Sequence, residues 1–245
     1  MKIIKLKEID STHKLAVRMI ENNSAFECGI IAEIQTSGIG RCERKWVSAP
    51  GNLYSSIIKK LPKNKDMCKI SLATACAVHK TVKNLIDPEK KDYLYLHWPN
   101  DIYYKNKKLS GILLAVIEGW IVISVGLNIR SVSVPTAISL EKIIGVSTVS
   151  TEKTFRSILD NLNSELSLIQ AGRFSDIREY WLQNIVGMNS EVTIKNGNDS
   201  LSGIVRGIDK LGRLILERDE KKLYISSGDM FENEKKRVVN YDKKE

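Results

Sequence analysis

The chain has 245 residues, of which 42% are hydrophobic and 27% are charged, and its formal net charge is +9. This composition is typical of a soluble globular protein. No stretch approaches the roughly 18 to 20 consecutive apolar residues that a membrane-spanning helix requires, so the sequence excludes that class of protein. The N-terminal residues lack the apolar core of a secretory signal, and we therefore expect a cytoplasmic protein with no membrane partner.

The positive charge is spread along the whole chain rather than gathered in one basic segment. The longest basic run is KKR at 235–237, which lies in a charged tail at 234–245. Diffuse charge of this kind indicates a solvated surface. A nucleic-acid-binding protein remains an alternative, and it would bind DNA with a steep dependence on salt concentration.

The four cysteines and three histidines form no recognisable metal or disulfide pattern. No C-x-x-C pair occurs, and the histidines are scattered at positions 13, 79 and 97. We therefore predict neither a zinc site nor a disulfide framework. The thiols are expected to be small buried or loop residues.

The first part of the chain predicts strands and helices that alternate along the sequence. Alternating apolar residues indicate strands, and apolar residues at helical spacing indicate helices. Taken in chain order, the patterns predict a strand at 2–9, a helix at 14–23 capped by Ser11 and Thr12, strands at 29–36 and 52–61, a helix at 69–86 and a strand at 93–98.

The second part changes character near Gly187. Residues 108–129 predict two antiparallel strands that turn near Glu118 and Gly119, and helices follow at 152–170 and 173–185. Beyond Gly187 come four short strands separated by turn signals, which is typical of a small β-barrel. We therefore predict an α+β domain at 1–186, a β-barrel at 187–233 and the charged tail at 234–245.

Four segments place a polar or glycine-rich motif at the end of a predicted strand. They are DSTHK (10–14), QTSGIGRCERKW (35–46), HWPNDIYYKNKKLSGIL (97–113) and VGLNI (125–129). In the second of these, a glycine turn is followed by three cations and a tryptophan. Glycine lets the backbone approach a phosphate closely, and arginine pairs with phosphate oxygens through two hydrogen bonds, so this loop predicts an anionic ligand. Its few apolar anchors predict mobility without ligand.

Taken together, the motifs resemble those of the biotin protein ligases. The glycine loop GRGRxGRxW of that family, followed by S-x-x-G-N-L-Y, stands here as GIGRCERKW and VSAPGNLY. Its K-W-P-N-D-[IVL]-Y…K-[LI]-x-G-I-L stands as HWPNDIY…KKLSGIL, and its G-[IL]-[GN]-x-N stands as VGLNI. The resemblance covers roughly residues 5–232. It implies a mixed-sheet α+β catalytic domain of the biotin/lipoate ligase type and an SH3-like C-terminal barrel.

The resemblance also implies a reaction and its partners. Biotin and ATP give biotinyl-5′-AMP and pyrophosphate, and a lysine of a biotin carboxyl carrier domain then displaces AMP. ATP and Mg²⁺ are the implied cofactors, and biotin is a substrate. A homodimer through the sheet edge is a further expectation. Because the substrate motif begins at Ser11, we expect no N-terminal winged helix and no DNA partner.

The resemblance implies roles for individual residues. Lys108 and Arg41 are the expected catalytic residues, and Asp101 is the expected magnesium ligand, with most metal bonds going to phosphate oxygens. The residues expected to bind biotin are Ser11, Thr12, Gln35, Gly38, Gly40, Arg41, Lys108 and Gly111. The residues expected to bind the nucleotide are Arg41, Arg44, Trp46, Asn100, Lys108 and Asn128.

The sequence departs from the family pattern at several positions around the phosphates. Ile39 replaces the first arginine of GRGR, and His97 replaces the lysine of KWPND. Cys42 and Glu43 stand where the family has a variable residue and a glycine. The changes remove two cations and add one carboxylate.

Two related functions remain alternatives. A lipoate or octanoate ligase or transferase shares the catalytic fold, although GNLYSS and the C-terminal barrel favour biotin. A non-catalytic homologue that only binds biotin is the second alternative, because of the departures at Ile39 and His97. The presence of Arg41 and Lys108 argues against it.

The departure at Ile39 predicts that biotinyl-AMP is released faster here than from typical relatives. Ile39→Arg should slow the release, because it restores a cation beside the phosphate. The measurement is the dissociation rate of biotinyl-AMP from the two proteins. An unchanged rate would contradict this account and would favour compensation by Lys45 and Lys107.

Overall fold

A computed structural model describes residues 1–61, 66–130, 132–145 and 149–232. The predicted charged tail lies outside these residues. A seven-stranded mixed sheet dominates the structure, in the order β1-β2-β3-β7-β6-β5-β4, with β1 and β2 parallel and the other neighbours antiparallel. The strands are β1 (Lys2–Ile9), β2 (Cys28–Gln35), β3 (Leu53–Lys60), β4 (Leu94–His97), β5 (Asp101–Tyr104), β6 (Lys107–Ile117) and β7 (Trp120–Leu127).

Helices cover both faces of this sheet. On one face, α1 packs against β3 and β7 through Ala16 and Ile20, which are buried with Ile30, Ile58 and Val122. On the other face, three helices pack against one another and form the larger core. The helices are α1 (Thr12–Glu21), α2 (Met67–Lys83), α3 (Leu140–Ile144), α4 (Thr151–Gln170) and α5 (Phe174–Asn184). None of the helices in the described residues is long and apolar enough to cross a membrane.

The hairpin of β6 and β7 provides the floor of the region where the motifs meet. Its turn lies at Glu118 and Gly119, as predicted, and both residues have positive φ (47° and 80°). That geometry matches the twist of the flanking strands in a two-residue hairpin. The resulting register places Gly111 directly opposite Gly126.

A second sheet follows the helices and consists of five antiparallel strands in the order β11-β10-β9-β8-β12. Four strands were predicted here. The fifth, β12, is only four residues long and follows Gly228, so its alternation is too short to recognise. Within the described residues the edge strands do not pair with each other. The strands are β8 (Glu191–Asn196), β9 (Asp199–Ile208), β10 (Leu214–Arg218), β11 (Lys221–Ile225) and β12 (Asp229–Glu232).

The topology brings the sequence motifs together at one end of the strands of the large sheet. The strands β1, β2 and β7 run in the same direction, so their C-terminal ends lie on the same side of the sheet. The antiparallel strand β3 begins on that side. Ser11 follows β1, Gln35 ends β2 and Leu127 ends β7. The α+β class with a mixed sheet and a second β-unit is therefore confirmed.

Candidate active site

A cavity of about 400 Å³ opens at this end of the strands. Cavities of this size hold small organic ligands. It brings together almost all of the residues that the sequence analysis singled out, although the contacts expected of each with biotin or nucleotide stay predictions. The predicted residues that line it are Ser11, Thr12, Gln35, Gly40, Arg41, Arg44, Trp46, Asn100, Asp101, Lys108, Gly111 and Asn128.

Gly38 is the one predicted residue that does not line the cavity wall. A Cβ atom at this position would lie 2.7 Å from the Trp46 carbonyl oxygen and 2.8 Å from Gln35 Nε2. The Gly38 carbonyl accepts a hydrogen bond from the Trp46 amide at 2.9 Å. Gly38 therefore allows the two sides of the loop to approach each other, and its contact with biotin stays a prediction.

The inner end of the cavity is polar and buried. Ser11 is the N-cap of α1 and accepts a hydrogen bond from the Lys14 amide. The Gln35 carbonyl oxygen accepts from the Thr12 amide at 2.8 Å, and Gln35 Nε2 donates to Ser48 Oγ at 3.0 Å. These contacts fix the orientation of the Gln35 amide, so this end presents hydrogen-bonding groups in defined positions.

Lys108 and Asp101 form an ion pair on neighbouring strands at the cavity wall. Lys108 Nζ lies 2.6 Å from Asp101 Oδ2 and 5.6 Å from the centroid of the Trp46 ring. The other oxygen, Asp101 Oδ1, is buried and has no hydrogen-bond partner among the described residues. Because buried polar atoms are nearly always paired, this oxygen is a place where water, a metal ion or a ligand group can bind.

The Trp46 indole packs against the cross-strand pair of glycines. A Cβ atom at Gly126 would lie 2.6 Å from the indole ring, and one at Gly111 would lie 3.0 Å from it. A side chain at position 126 would therefore displace the ring, and one at position 111 would make a tight contact with it. Trp46 Nε1 is buried without a hydrogen-bond partner in the described part of the chain. The expected contact of Trp46 with the adenine of the nucleotide stays a prediction.

The glycine loop is held by the second sheet, which the sequence did not indicate. Arg44 is paired with Asp229 of β12, and this contact raises the pKa of the Arg44 guanidinium. Arg41 Nη1 lies 3.5 Å from Asp229 Oδ1 and donates to Asn100 Oδ1 at 3.0 Å and to the Gly228 carbonyl at 3.2 Å. The loop therefore has polar anchors in place of the apolar ones that it lacks.

Two residues of the loop adopt the left-handed backbone region that favours glycine. Cys42 has a φ of 51° and Glu43 a φ of 57°. Glu43 occupies the position at which the ligase pattern has glycine. The loop keeps this conformation although a side chain makes it costly, and such strain is typical of functional loops.

The departures from the ligase pattern have different structural consequences. Ile39 lines the cavity, so it does place an apolar side chain where the pattern has an arginine. His97 is buried and stacked on Tyr103, it is not a lining residue, and burial lowers the pKa of its imidazole. Of the two lysines named as the alternative source of compensating charge, Lys45 lines the cavity and Lys107 does not.

Several residues of the site were missed at the level of sequence. They are His13, Tyr54, Ser55, Ser124, Val132, Val134 and Asp229. His13 lies within DSTHK, directly after Ser11 and Thr12, and this position in the motif could have identified it as a site residue. Asp229 is 185 residues from Arg44, and no local pattern connects them.

The Asp229 contacts predict that Asp229→Asn frees the glycine loop. Because an exposed ion pair contributes up to about 1 kcal/mol, trypsin should cleave the unliganded variant at Arg41 and Arg44 about three to five times faster than the wild type. The measurement is limited proteolysis followed by mass spectrometry. Asp219→Asn, on a turn of the same sheet, is the control and should leave the cleavage rate unchanged. Equal rates in Asp229→Asn and the wild type would contradict the anchoring.

The family models that match this chain cover most of the segments that form the cavity. The model of the family described as "Biotin/lipoate A/B protein ligase family" matches residues 7–129, and that of "Biotin protein ligase C terminal domain" matches residues 187–231. The first match contains the glycine loop, the Asp101–Lys108 pair and Asn128. The second contains Asp229.

Curated relatives carry ligase names. The chain is 30% identical over 228 residues to the bifunctional ligase/repressor BirA of Escherichia coli, covering 87% of this chain and 68% of that protein. It is 30% identical over 209 residues to biotin–[acetyl-CoA-carboxylase] ligase of Mycobacterium tuberculosis, covering 82% and 77% of the two chains.

The solved structures show the same fold. Biotin protein ligase from Aquifex aeolicus in complex with biotin and ATP superposes with a TM-score of 0.83 at 24% identity, covering 94% of this chain and 97% of that one. At this identity the likeness concerns the fold. The family match over half of the chain, together with the 30% identity to the Escherichia coli protein, shows that the chain belongs to the biotin/lipoate A/B protein ligase family.

Proposed function

We propose that the protein is an ATP-dependent biotin–protein ligase, which joins biotin to a carrier lysine through biotinyl-5′-AMP. The observation that carries this function is the arrangement of one cavity. Its inner end offers the buried Thr12 and the half-buried amide of Gln35, and its outer part carries Lys108 and Arg41. A cyclic urea suits the first region, and a carboxylate that reacts with a phosphate suits the second.

In the first step, a biotin carboxylate oxygen attacks the α-phosphorus of ATP. The new oxygen–phosphorus bond forms as the bond to the β-phosphate oxygen breaks, and pyrophosphate leaves. Negative charge accumulates on the phosphate oxygens in the transition state, so fixed cations lower the barrier. Lys108 and Arg41 supply that charge from opposite elements of the site, the strand β6 and the glycine loop.

The ion pair with Asp101 keeps Lys108 in place before the substrates bind. Its length of 2.6 Å and the strand pairing of β5 with β6 fix the ammonium group at the cavity wall. When the two substrates arrive, their anionic oxygens replace Asp101 as partners of Lys108. The arrangement pre-organises the cation, so little reorganisation is needed at the moment of reaction.

Asp101 also fits the role of a magnesium ligand. Its Oδ1 oxygen is buried and unpaired, and carboxylate oxygens are preferred ligands of Mg²⁺. The remaining ligands of the ion are proposed to be phosphate oxygens and water, because Mg²⁺ keeps most of its waters. When bound, the ion neutralises charge on the phosphate oxygens.

In the second step, the amine of a carrier lysine attacks the carbonyl carbon of biotinyl-AMP. The carbon–nitrogen bond of the amide forms, the carbon–oxygen bond to the phosphate breaks, the nitrogen loses a proton and AMP leaves. The electron pair of the broken bond stays on the AMP phosphate, and Arg41 stabilises the negative charge that forms there. Asn100 holds the Arg41 guanidinium through its 3.0 Å hydrogen bond and so keeps it at the cavity.

The partner is the biotin carboxyl carrier domain of a biotin-dependent carboxylase, and the expected location is the cytoplasm. A homodimer through the edge of the large sheet is also proposed. Within the described residues, β1 and β4 are the edge strands of that sheet. The Leu96 carbonyl of β4 already accepts from the Val186 amide, so β1 is the edge proposed to pair with a second copy.

A lipoate or octanoate ligase is the second candidate, because the family includes such enzymes. The inner end of the cavity argues against it. The polar groups of Thr12 and Gln35 would face a hydrocarbon or a dithiolane, and polar groups that a bound ligand buries without a partner cost binding energy. A ligand with its own N–H and C=O groups avoids that cost.

The decisive variant is Lys108→Ala, with Lys107→Ala as its control. Lys107 is the preceding residue of β6 and does not line the cavity. Lys108→Ala should lower the kcat of biotin-dependent pyrophosphate release about 10² to 10³-fold, as removal of a transition-state donor does. Lys107→Ala should keep the wild-type rate. The measurement follows pyrophosphate and the transfer of labelled biotin to a purified carrier domain.

The same assay distinguishes the alternatives. Pyrophosphate release that requires lipoate or octanoate instead of biotin would establish the second candidate. Binding of biotin without any pyrophosphate release by the wild type would mean that the protein is a non-catalytic binder. Equal rates in the two lysine variants would contradict the role of Lys108.

A further inference from the structure

A chain of hydrogen-bonded side chains lies behind the polar end of the cavity and ends at His13. His13 Nδ1 is 2.8 Å from Ser124 Oγ, and Ser124 Oγ is 2.8 Å from Ser56 Oγ. Ser56 Oγ is 2.9 Å from Thr12 Oγ1, which is 3.2 Å from Gln35 Oε1. The five groups come from α1, β2, β3 and β7, so the chain ties four elements together at this end of the cavity.

The direction of every hydrogen bond in this chain follows from one backbone group. The Thr12 amide can only donate, and it lies 2.8 Å from Gln35 Oε1, which identifies that atom as the amide oxygen. The Thr12 hydroxyl therefore donates to Gln35 as well. Since its single proton is used there, Thr12 Oγ1 accepts from Ser56, which agrees with the geometry of that contact.

The same reasoning continues to the imidazole. The Ser56 proton is directed to Thr12, so Ser56 Oγ accepts from Ser124. The Ser124 proton is then directed to Ser56, so Ser124 Oγ accepts from His13, and the His13 proton must be on Nδ1. This tautomer is assigned from the hydrogen-bonding network. Burial lowers the pKa of His13 to about 4, which keeps the imidazole neutral near pH 7.

The order of donors and acceptors along this chain, here called the proton order, determines which hydrogen-bonding groups the cavity presents to a ligand. A hydroxyl has one proton and two lone pairs. Ser124 and Thr12 both line the cavity, and each has its proton and one lone pair used within the chain. What remains on each is a single lone pair, so both hydroxyls act as hydrogen-bond acceptors toward the ligand. The matching ligand groups are N–H donors.

We propose that His13 is a positioning residue. By donating to Ser124 it holds that hydroxyl in the order that the Thr12 amide sets, and it thereby makes the inner end of the cavity selective for a ligand with N–H groups. The inference rests on the proposed function, in which a cyclic urea supplies those groups. Ligands without N–H groups, such as lipoate or octanoate, leave the lone pairs of Ser124 and Thr12 unpaired. His13 therefore contributes to the choice of acid although its first partner is Ser124.

The test compares His13→Leu with the matched variant His13→Asn. An asparagine side chain places an N–H donor close to the position of Nδ1, whereas leucine has none. His13→Leu should raise the KM for biotin and the Kd measured by calorimetry about tenfold, the usual effect of one lost hydrogen bond, with kcat unchanged. His13→Asn should remain within about threefold of the wild type. The preference for biotin over octanoate should fall only in His13→Leu.

Ser124→Ala leaves His13 in place and provides a second test, in which biotin binding should weaken about tenfold even if the leucine variant is unstable. The double variant His13→Leu with Ser124→Ala should bind biotin no more weakly than Ser124→Ala alone, because His13 acts through that hydroxyl. Additive losses, or equal losses in His13→Leu and His13→Asn, would overturn the inference and leave His13 a packing residue. A wild-type protein without biotin-dependent pyrophosphate release would instead contradict the proposed function.

Discussion

The ion pair between Lys108 and Asp101 is the contact on which the proposed chemistry depends. The two residues are on adjacent strands, so the sheet itself fixes the ammonium group at the cavity wall. The pairing holds the lysine in position before a substrate binds. It also leaves one Asp101 oxygen buried and unpaired, which gives a metal ion a place beside the same lysine. Cation and carboxylate thus prepare the site for two anionic substrates.

The second sheet contributes directly to this site through Asp229. Its carboxylate faces Arg41 and Arg44, so the two cations of the glycine loop are partly neutralised before phosphate arrives. The loop is therefore held near its working position by a partner that a phosphate can replace. Trp46 completes the arrangement, since the paired glycines 111 and 126 let its ring lie on the floor of the cavity.

Local patterns in the sequence predicted much of this fold. The hairpin turn at Glu118 and Gly119 and the helices α2, α4 and α5 were found because their signals lie within a few residues. The motif residues were found because they resemble a family pattern, and the sheet topology brings them to one end of the strands. Their individual roles still await experiment.

Contacts between distant elements could not be predicted. The Asp229 anchor joins β12 to a loop 185 residues away, and β12 is too short to show a periodic pattern. The chain from His13 to Gln35 depends on the pairing of strands and on hydroxyl groups that are unremarkable in the sequence. His97 was considered a lost cation of the phosphate site, but its stacking on Tyr103 and its burial show that position to be part of the packing.

The most direct test of the account is a crystal structure with biotin and a non-hydrolysable ATP analogue. The account predicts that Lys108 Nζ leaves Asp101 Oδ2 and lies within hydrogen-bonding distance of both the biotin carboxylate and the α-phosphate. The ureido group should lie at the inner end beside Thr12 and Gln35. A complex in which Lys108 stays paired with Asp101 and touches neither substrate would contradict the central claim.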